Sequence, residues 1–216
     1  MSARAGRLVA LEGGEGAGKS SLARHVGDWF AARGCSVALT FEPGASPLGR
    51  ALRDLVLDGS GAGHPMSAKA EALLFAADRA EHVARVLRPA LDAGQVVVTD
   101  RYLDSSLAYQ GAGRGLEVDV LERVSDWASD HLRPDLTILL DVPVDVGLAR
   151  VGRATDRIEA APAGFHERVR AEFLRLAARA PERYLVVDAS RPIEQVWADA
   201  EAGLARWWSG DRQGAR

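Results

Sequence analysis

The run Gly13-Gly14-Glu15-Gly16-Ala17-Gly18-Lys19-Ser20, "GGEGAGKS", puts four glycines, one acid and one lysine into eight residues. Glycine buries no side chain and loses much backbone entropy on folding, so a packed core has little use for such a run. An apolar stretch, "LVALE" (8–12), precedes it. After it, Leu22, Val26, Trp29 and Phe30 recur at helical spacing. Gly-x-x-x-x-Gly-Lys-Ser between a strand and a helix is the P-loop pattern in its confirming context. The glycines let successive backbone N–H groups turn inward, and the helix adds its positive N-terminal end. Residues Gly13 through Ser21, including Gly14, Glu15, Gly16, Ala17, Gly18 and Ser20, are therefore expected to cradle a polyphosphate. Lys19 places a mobile charge on the outer phosphates, and the Ser20 hydroxyl can ligate Mg²⁺.

The rest of the chain fits around that loop. "SVALTF" (36–41), "VVVTD" (96–100), "LTILLDV" (136–142) and "YLVVDA" (184–189) are nearly continuous apolar runs, as expected of strands covered on both faces. Helical periodicity lies between them: Leu73, Leu74 and Ala77; Leu121, Val124 and Ala128; Phe165, Val169, Phe173 and Leu176. A last helix carries Val196, Ala200 and Leu204. This alternation predicts an α/β fold with a five-stranded parallel sheet flanked by helices. Pro89 is expected to end or kink the helix before "VVVTD". One domain over 1–209 and a flexible tail over 210–216 complete the expected organisation.

Composition narrows the function classes. The chain has 216 residues, 47% hydrophobic and 26% charged, with a net charge of −3, so nothing in the balance points to a nucleic-acid or membrane surface. The single cysteine, Cys35, cannot form an internal disulfide and fits a reducing compartment. The first residues hold too short an apolar run for a signal peptide, and the five histidines show no metal-like spacing, so no zinc site is expected. Only two of the 27 basic residues are lysines, Lys19 and Lys69. In a chain that otherwise uses arginine, a lysine in the glycine loop looks chemically required.

Asp100 closes "VVVTD" at the end of a buried strand, where open α/β sheets bind ligands, and can hold Mg²⁺ directly or through water. A P-loop alone does not name a reaction. A guanine-reading Asn/Thr-Lys-x-Asp is excluded, because the chain has no asparagine and neither lysine is followed by x-Asp. A mechanical ATPase would use an acid pair at the strand end, whereas Asp100 is followed by Arg101. Phe75 reads equally as a core residue or as a ring facing a ligand. Arg79, one turn later, reads as a solvated partner of Asp78 or Glu81 or as a donor into a site. Arg150, Arg153 and Arg157 read as a solvated basic face or as phosphate-directed groups.

"EPG" (42–44), "LLFAADRAEHV" (73–83), "DRYLDSSLAYQGAGRG" (100–115) and "DRIE" (156–159), in this order after the P-loop, resemble bacterial thymidylate kinases over most of the chain. The resemblance implies a homodimeric, cytoplasmic P-loop nucleoside-monophosphate kinase that phosphorylates dTMP to dTDP with Mg²⁺–ATP. It implies that Phe75 stacks on thymine and that Arg79 donates to its carbonyl. Arg101 and Arg53 would clamp the acceptor phosphate beside Glu42. Ser105, Ser106 and Gln110 would face the pyrimidine edge, and Tyr109 would crowd the sugar 2′ position. Glu15 would accept from the 3′-hydroxyl, so that one loop touches both substrates. A lid over about 147–162 would bring Arg150, Arg153 and Arg157 to the transferring phosphoryl group. Gly16 and Phe41 both stand where some relatives carry arginine. The rivals are a kinase for dUMP or dCMP and a nucleotide-binding regulatory protein without turnover.

Overall fold

The computed structural model describes residues 6–58, 66–153 and 156–214, with the side chains of 211–214 left aside. Five strands form one sheet: β1 (Arg7–Gly13), β2 (Val37–Phe41), β3 (Val96–Asp100), β4 (Leu136–Asp141) and β5 (Tyr184–Asp188). Every pairing is parallel, in the order β2-β3-β1-β4-β5. The connections run through α1 (Lys19–Ala31), α2 (Pro47–Asp58), α3 (Ala68–His82), α4 (Arg88–Asp92), α5 (Leu103–Ser106), α6 (Val118–Ala128), α7 (Val144–Val151) and α8 (Ala163–Arg179). The C-terminal helix α9 (Ile193–Gly214) runs through residues 210–214, which the sequence placed in a flexible tail. Residues 215–216 lie outside the described residues.

Alternation along β1 shows why the strands read as apolar throughout. Val9 and Leu11 face a core closed by Val26 and Phe30 of α1 and Leu204 of α9. Leu8 and Ala10 face the opposite layer, with Val83 and Leu87. Both faces are therefore removed from water, as helix-covered parallel sheets require. The register pairs Leu11 with Asp100, so the P-loop after β1 and the acid ending β3 emerge side by side.

Two readings are corrected. Of the two outcomes expected at Pro89, ending or kinking the helix, the first does not occur. The chain continues from α3 through a π-helical segment, Val83–Leu87, into α4, with Pro89 in the first turn of α4. The wider turn lets Arg88 N–H donate to Val83 O, and the helix carries on past a residue with no N–H of its own. The inner face of α3 is also not the Leu73/Ala77 face. Leu73 is 61% exposed, while Glu71, Asp78, Arg79 and His82 are buried. The helix can turn these polar side chains inward because each has a buried partner: Arg79 and His82 meet Glu42, Asp78 accepts from Gly44 N, and Glu71 accepts from Gln110 and Arg157. Its start is capped by Ser67, whose Oγ accepts from Ala70 N–H at 3.3 Å.

Candidate active site

A cleft of about 710 Å³ opens at the C-terminal ends of β1 and β3. One wall is the P-loop. Gly16 and Gly18 line it with φ of 67° and 88°, left-handed values that favour glycine, and Gly18 is the N-cap of α1. Lys19 lies back on its own loop, donating from Nζ to Gly13 O at 3.1 Å and Gly14 O at 2.8 Å. Burial, helped by Arg101, lowers its pKa to about 8 against the pull of Glu15, Asp100 and Glu12. Ser20 Oγ donates to Asp100 Oδ2 at 2.5 Å. A hydroxyl and a carboxylate so placed are the hard oxygen pair that Mg²⁺ accepts alongside phosphate and water. No cluster of three or more His, Cys, Asp or Glu occurs among the described residues.

The opposite wall is built on α3, the turn after β3, and a second π-helical segment, Leu107–Gly113. Phe75 is half-buried at the cleft. Arg79 is 1% exposed and neither solvated nor paired with Asp78 or Glu81. All five N–H donors of its guanidinium are engaged: with Glu42 Oε2 at 3.0 and 2.8 Å, Tyr102 O at 2.9 Å, Ser106 Oγ at 3.0 Å and Ser125 Oγ at 3.3 Å. A base edge reaching Arg79 therefore shares or displaces a serine hydroxyl. The other carboxylate oxygen of Glu42 meets His82 Nδ1 at 2.9 Å. Arg53 donates to Pro43 O at 2.8 Å with its guanidinium 5.9 Å from the Phe41 ring.

Glu15 and Arg101 join the two walls. Glu15 Oε1 accepts from Arg101 Nη2 at 2.8 Å and from the Tyr109 hydroxyl at 2.6 Å. Burial would raise the Glu15 pKa, but Arg101, Lys19 and the Tyr109 hydroxyl outweigh it and hold the carboxyl down at about 2. The guanidinium of Arg101 lies 4.8 Å from the Tyr109 ring. Desolvation works against the Arg101 charge, yet the surrounding anionic groups raise its pKa further.

The three residues expected at the pyrimidine edge all line the cleft, and each also has a protein partner. The Ser105 hydroxyl donates to Glu12 Oε2 at 2.6 Å and accepts from Arg101 Nη1 at 3.2 Å. Ser106 serves Arg79, and the Gln110 amide donates to Glu71 Oε1 at 2.9 Å. The three arginines of the expected lid also diverge. Arg150 of α7 donates to Gly16 O, Ala189 O, Ser190 O and Arg191 O, tying the P-loop to the β5–α9 loop. Arg157 is held by Glu71 Oε2 at 2.6 Å and Val56 O at 2.5 Å, not by Glu159. Arg153 is exposed and adjoins residues 154–155, which lie outside the described residues.

Sequence reasoning passed over Glu12, which is 1% exposed and accepts from Tyr102 N at 2.9 Å, Ser105 N at 3.2 Å and Ser105 Oγ. Burial and the neighbouring Asp104 carboxylate push its pKa up. The available signal was an acid inside the otherwise apolar run "LVALE".

A parallel sheet in this order, a P-loop after β1 and an acid ending the adjacent β3, opposite a wall with an aromatic ring and buried arginines, define a P-loop nucleotide phosphotransferase. The Thymidylate kinase family model matches residues 11–200. The chain is 50% identical over 204 residues to a thymidylate kinase of Leifsonia xyli subsp. xyli, covering 93% of this chain and 95% of that one. It is 50% identical over 196 residues to one of Clavibacter michiganensis subsp. michiganensis (89% and 92% covered) and 46% over 205 residues to one of Chromobacterium violaceum (94% and 95% covered). The chain belongs to the thymidylate kinase family.

Proposed function

We propose that this chain transfers the γ-phosphoryl group of ATP to dTMP, giving dTDP. The observation that carries the reading is one cleft whose two walls meet at Glu15 and Arg101. One wall suits a triphosphate, and the other offers Phe75 and buried arginines to a flat base and an acceptor phosphate. Catalysis is positioning and charge stabilisation, with no covalent enzyme intermediate. Lys19 leaves the loop carbonyls for the outer phosphates. Arg101, already charged, presents a fork suited to the acceptor phosphate. Glu15, ionised well below neutrality, accepts from the 3′-hydroxyl, and Tyr109 beside it limits the 2′ position. Mg²⁺ would be held by Ser20 and Asp100 and would neutralise charge on the ATP phosphates. The reading is tested by coupled ATP turnover over dTMP, dUMP, dCMP and other monophosphates. Preference for dTMP is expected, and equal use of dUMP or dCMP would overturn it.

Among the lid arginines, Arg153 is the one left uncommitted to protein carbonyls or carboxylates among the described residues, which favours it as the group that meets charge on the transferring phosphoryl. Arg150 and Arg157 act as ties, and the lid spans about 147–162 of a single domain. No helix among the described residues is long and apolar enough to cross a membrane, and we place the enzyme in the cytoplasm. Exposed apolar side chains on α2, α3 and α6, among them Leu55, Leu73 and Trp127, support a homodimer through those helices.

A further inference from the structure

Arg101 stands at φ 69°, a left-handed conformation that a residue with a Cβ adopts only where its surroundings impose it. Three backbone-directed bonds impose it here. Arg101 N donates to Leu11 O at 2.9 Å, Thr99 Oγ1 donates to Arg101 O at 2.9 Å, and Tyr102 N donates to Glu12 Oε1 at 2.9 Å. The side chain is fixed from the same direction. Its Nη1 donates to Ser105 Oγ at 3.2 Å, and that hydroxyl, having given its proton to Glu12 Oε2 at 2.6 Å, has only lone pairs left to offer. Glu12 thus grips the turn with one oxygen and orients the Ser105 hydroxyl with the other. It does not line the cleft.

We propose that Glu12 is a positioning residue for acceptor-phosphate recognition: through the Tyr102 and Ser105 N–H groups and the Ser105 hydroxyl, it aims the Arg101 guanidinium at the acceptor phosphate. The inference rests on the reading of Arg101 as the phosphate clamp. A carboxylate is required because all three of its partners donate to it. A glutamine at this position keeps an oxygen for the backbone but turns an N–H₂ toward the Ser105 hydroxyl, whose proton must then point elsewhere. Arg101, still held by Glu15 Oε1 and Gly13 O, then shares the Ser105 oxygen with a second donor and a freed hydroxyl proton, and its fork loses its fixed aim.

The test compares binding of dTMP with binding of thymidine, which carries the same base and sugar without the phosphate, by calorimetry on the full chain. The ratio of the two affinities isolates what the phosphate contributes. Glu12→Gln is expected to lower dTMP affinity by about 10–100-fold, taking as its scale the loss of a residue that supports a metal ligand. Thymidine affinity should stay as in the wild type. Ser105→Ala, which leaves the backbone grip intact, is expected to lower the ratio in the same direction and decides the matter if Glu12→Gln does not fold. Equal loss of dTMP and thymidine binding would mean a general disturbance of the site and would overturn the inference. So would an unchanged ratio in both variants. Arg101→Ala separates the two levels. If it abolishes the phosphate contribution while Glu12→Gln and Ser105→Ala retain it, Arg101 is the clamp and Glu12 does not position it. If Arg101→Ala itself keeps the ratio, the clamp reading fails and takes the inference with it.

Discussion

Arg79 and Asp78 are neighbours on α3, both 1% exposed, and their environments treat their charges oppositely. Arg79 has every donor used, chiefly by Glu42. Asp78 uses Oδ1 to accept from Gly44 N at 3.0 Å, while Oδ2 has no hydrogen-bond partner among the described residues. Burial, then the nearby Glu42 carboxylate, push the Asp78 pKa up to about 6, against the pull of Gly44 N–H, His82 and Arg79. The folded state therefore binds this proton more tightly than the unfolded state does. The stability it contributes is present below the unfolded value of 3.8 and is lost as pH rises through about 6. An asparagine keeps the acceptor for Gly44 and has no proton to lose. The stability of Asp78→Asn relative to wild type should rise by roughly 1–3 kcal/mol between pH 4.5 and 7.5, since groups that titrate in both proteins cancel in the difference. Urea denaturation of both proteins at the two pH values measures this, and a pH-independent difference would show that Asp78 is already ionised at the lower one. At this scale the sequence was legible where chemistry is local. Lys19, Ser20 and the P-loop glycines lie within one short run, and Phe75 and Arg79 lie one helical turn apart. Glu12 and Ser105 are 93 positions apart, so no spacing rule could join them, and the bonds of the Ser105 hydroxyl to Glu12 and Arg101 had no signal in the sequence.

Between elements, the contact that sets the P-loop against α7 is glycine on glycine. A Cβ on Gly16 would stand 2.1 Å from Gly147 O, and a Cβ on Gly147 would stand 2.3 Å from Glu15 O. The obstacles are backbone, so neither can swing aside. This gives a steric reason for a glycine at position 16, where some relatives are expected to carry arginine. It also explains why the arginine reaching Gly16 O comes from α7, as Arg150. Gly147→Ala should push the loop off its helix, destabilise the fold by about 1–3 kcal/mol and weaken ATP binding more than thymidine binding, because ATP rests on the whole loop whereas thymidine meets it only at Glu15. Thermal melts and calorimetry with each ligand check it, and a silent variant would mean the helix moves freely relative to the loop. The five strands were legible because burial on both faces leaves a continuous apolar run. The π-helical segments at Val83–Leu87 and Leu107–Gly113 were not, because a widened turn has no composition of its own. The second matters for function: it carries Tyr109 and Gln110 toward the cleft.

For the whole molecule, the inward polar face of α3 has a counterpart outside. A helix that turns Glu71, Asp78, Arg79 and His82 inward leaves apolar residues to face outward, and Leu73 is 61% exposed. Helix α6, packed against α3, exposes Trp127 at 79% and Val120 at 40%, and α2, on the other side of α3, exposes Leu48 at 52% and Leu55 at 43%. Scattered exposed leucines are ordinary, but large apolar groups on three adjoining helices, one of them a tryptophan, match the composition of an interface core. The active-site cleft lies on the inner side of the same α3, so association through the outer side would brace Phe75 and Arg79 without blocking substrate entry. The chain is expected to sediment as a dimer at micromolar concentration. Leu73→Ser and Trp127→Ser combined should shift it to monomer. Neither side chain is buried in the single chain, so the monomer should remain folded by circular dichroism. Turnover should fall with dissociation if the partner braces α3, most visibly as a raised KM for dTMP with the KM for ATP little changed. A wild-type chain that sediments as a monomer over that range would remove the dimer, and a dimer untouched by the double variant would place its interface elsewhere.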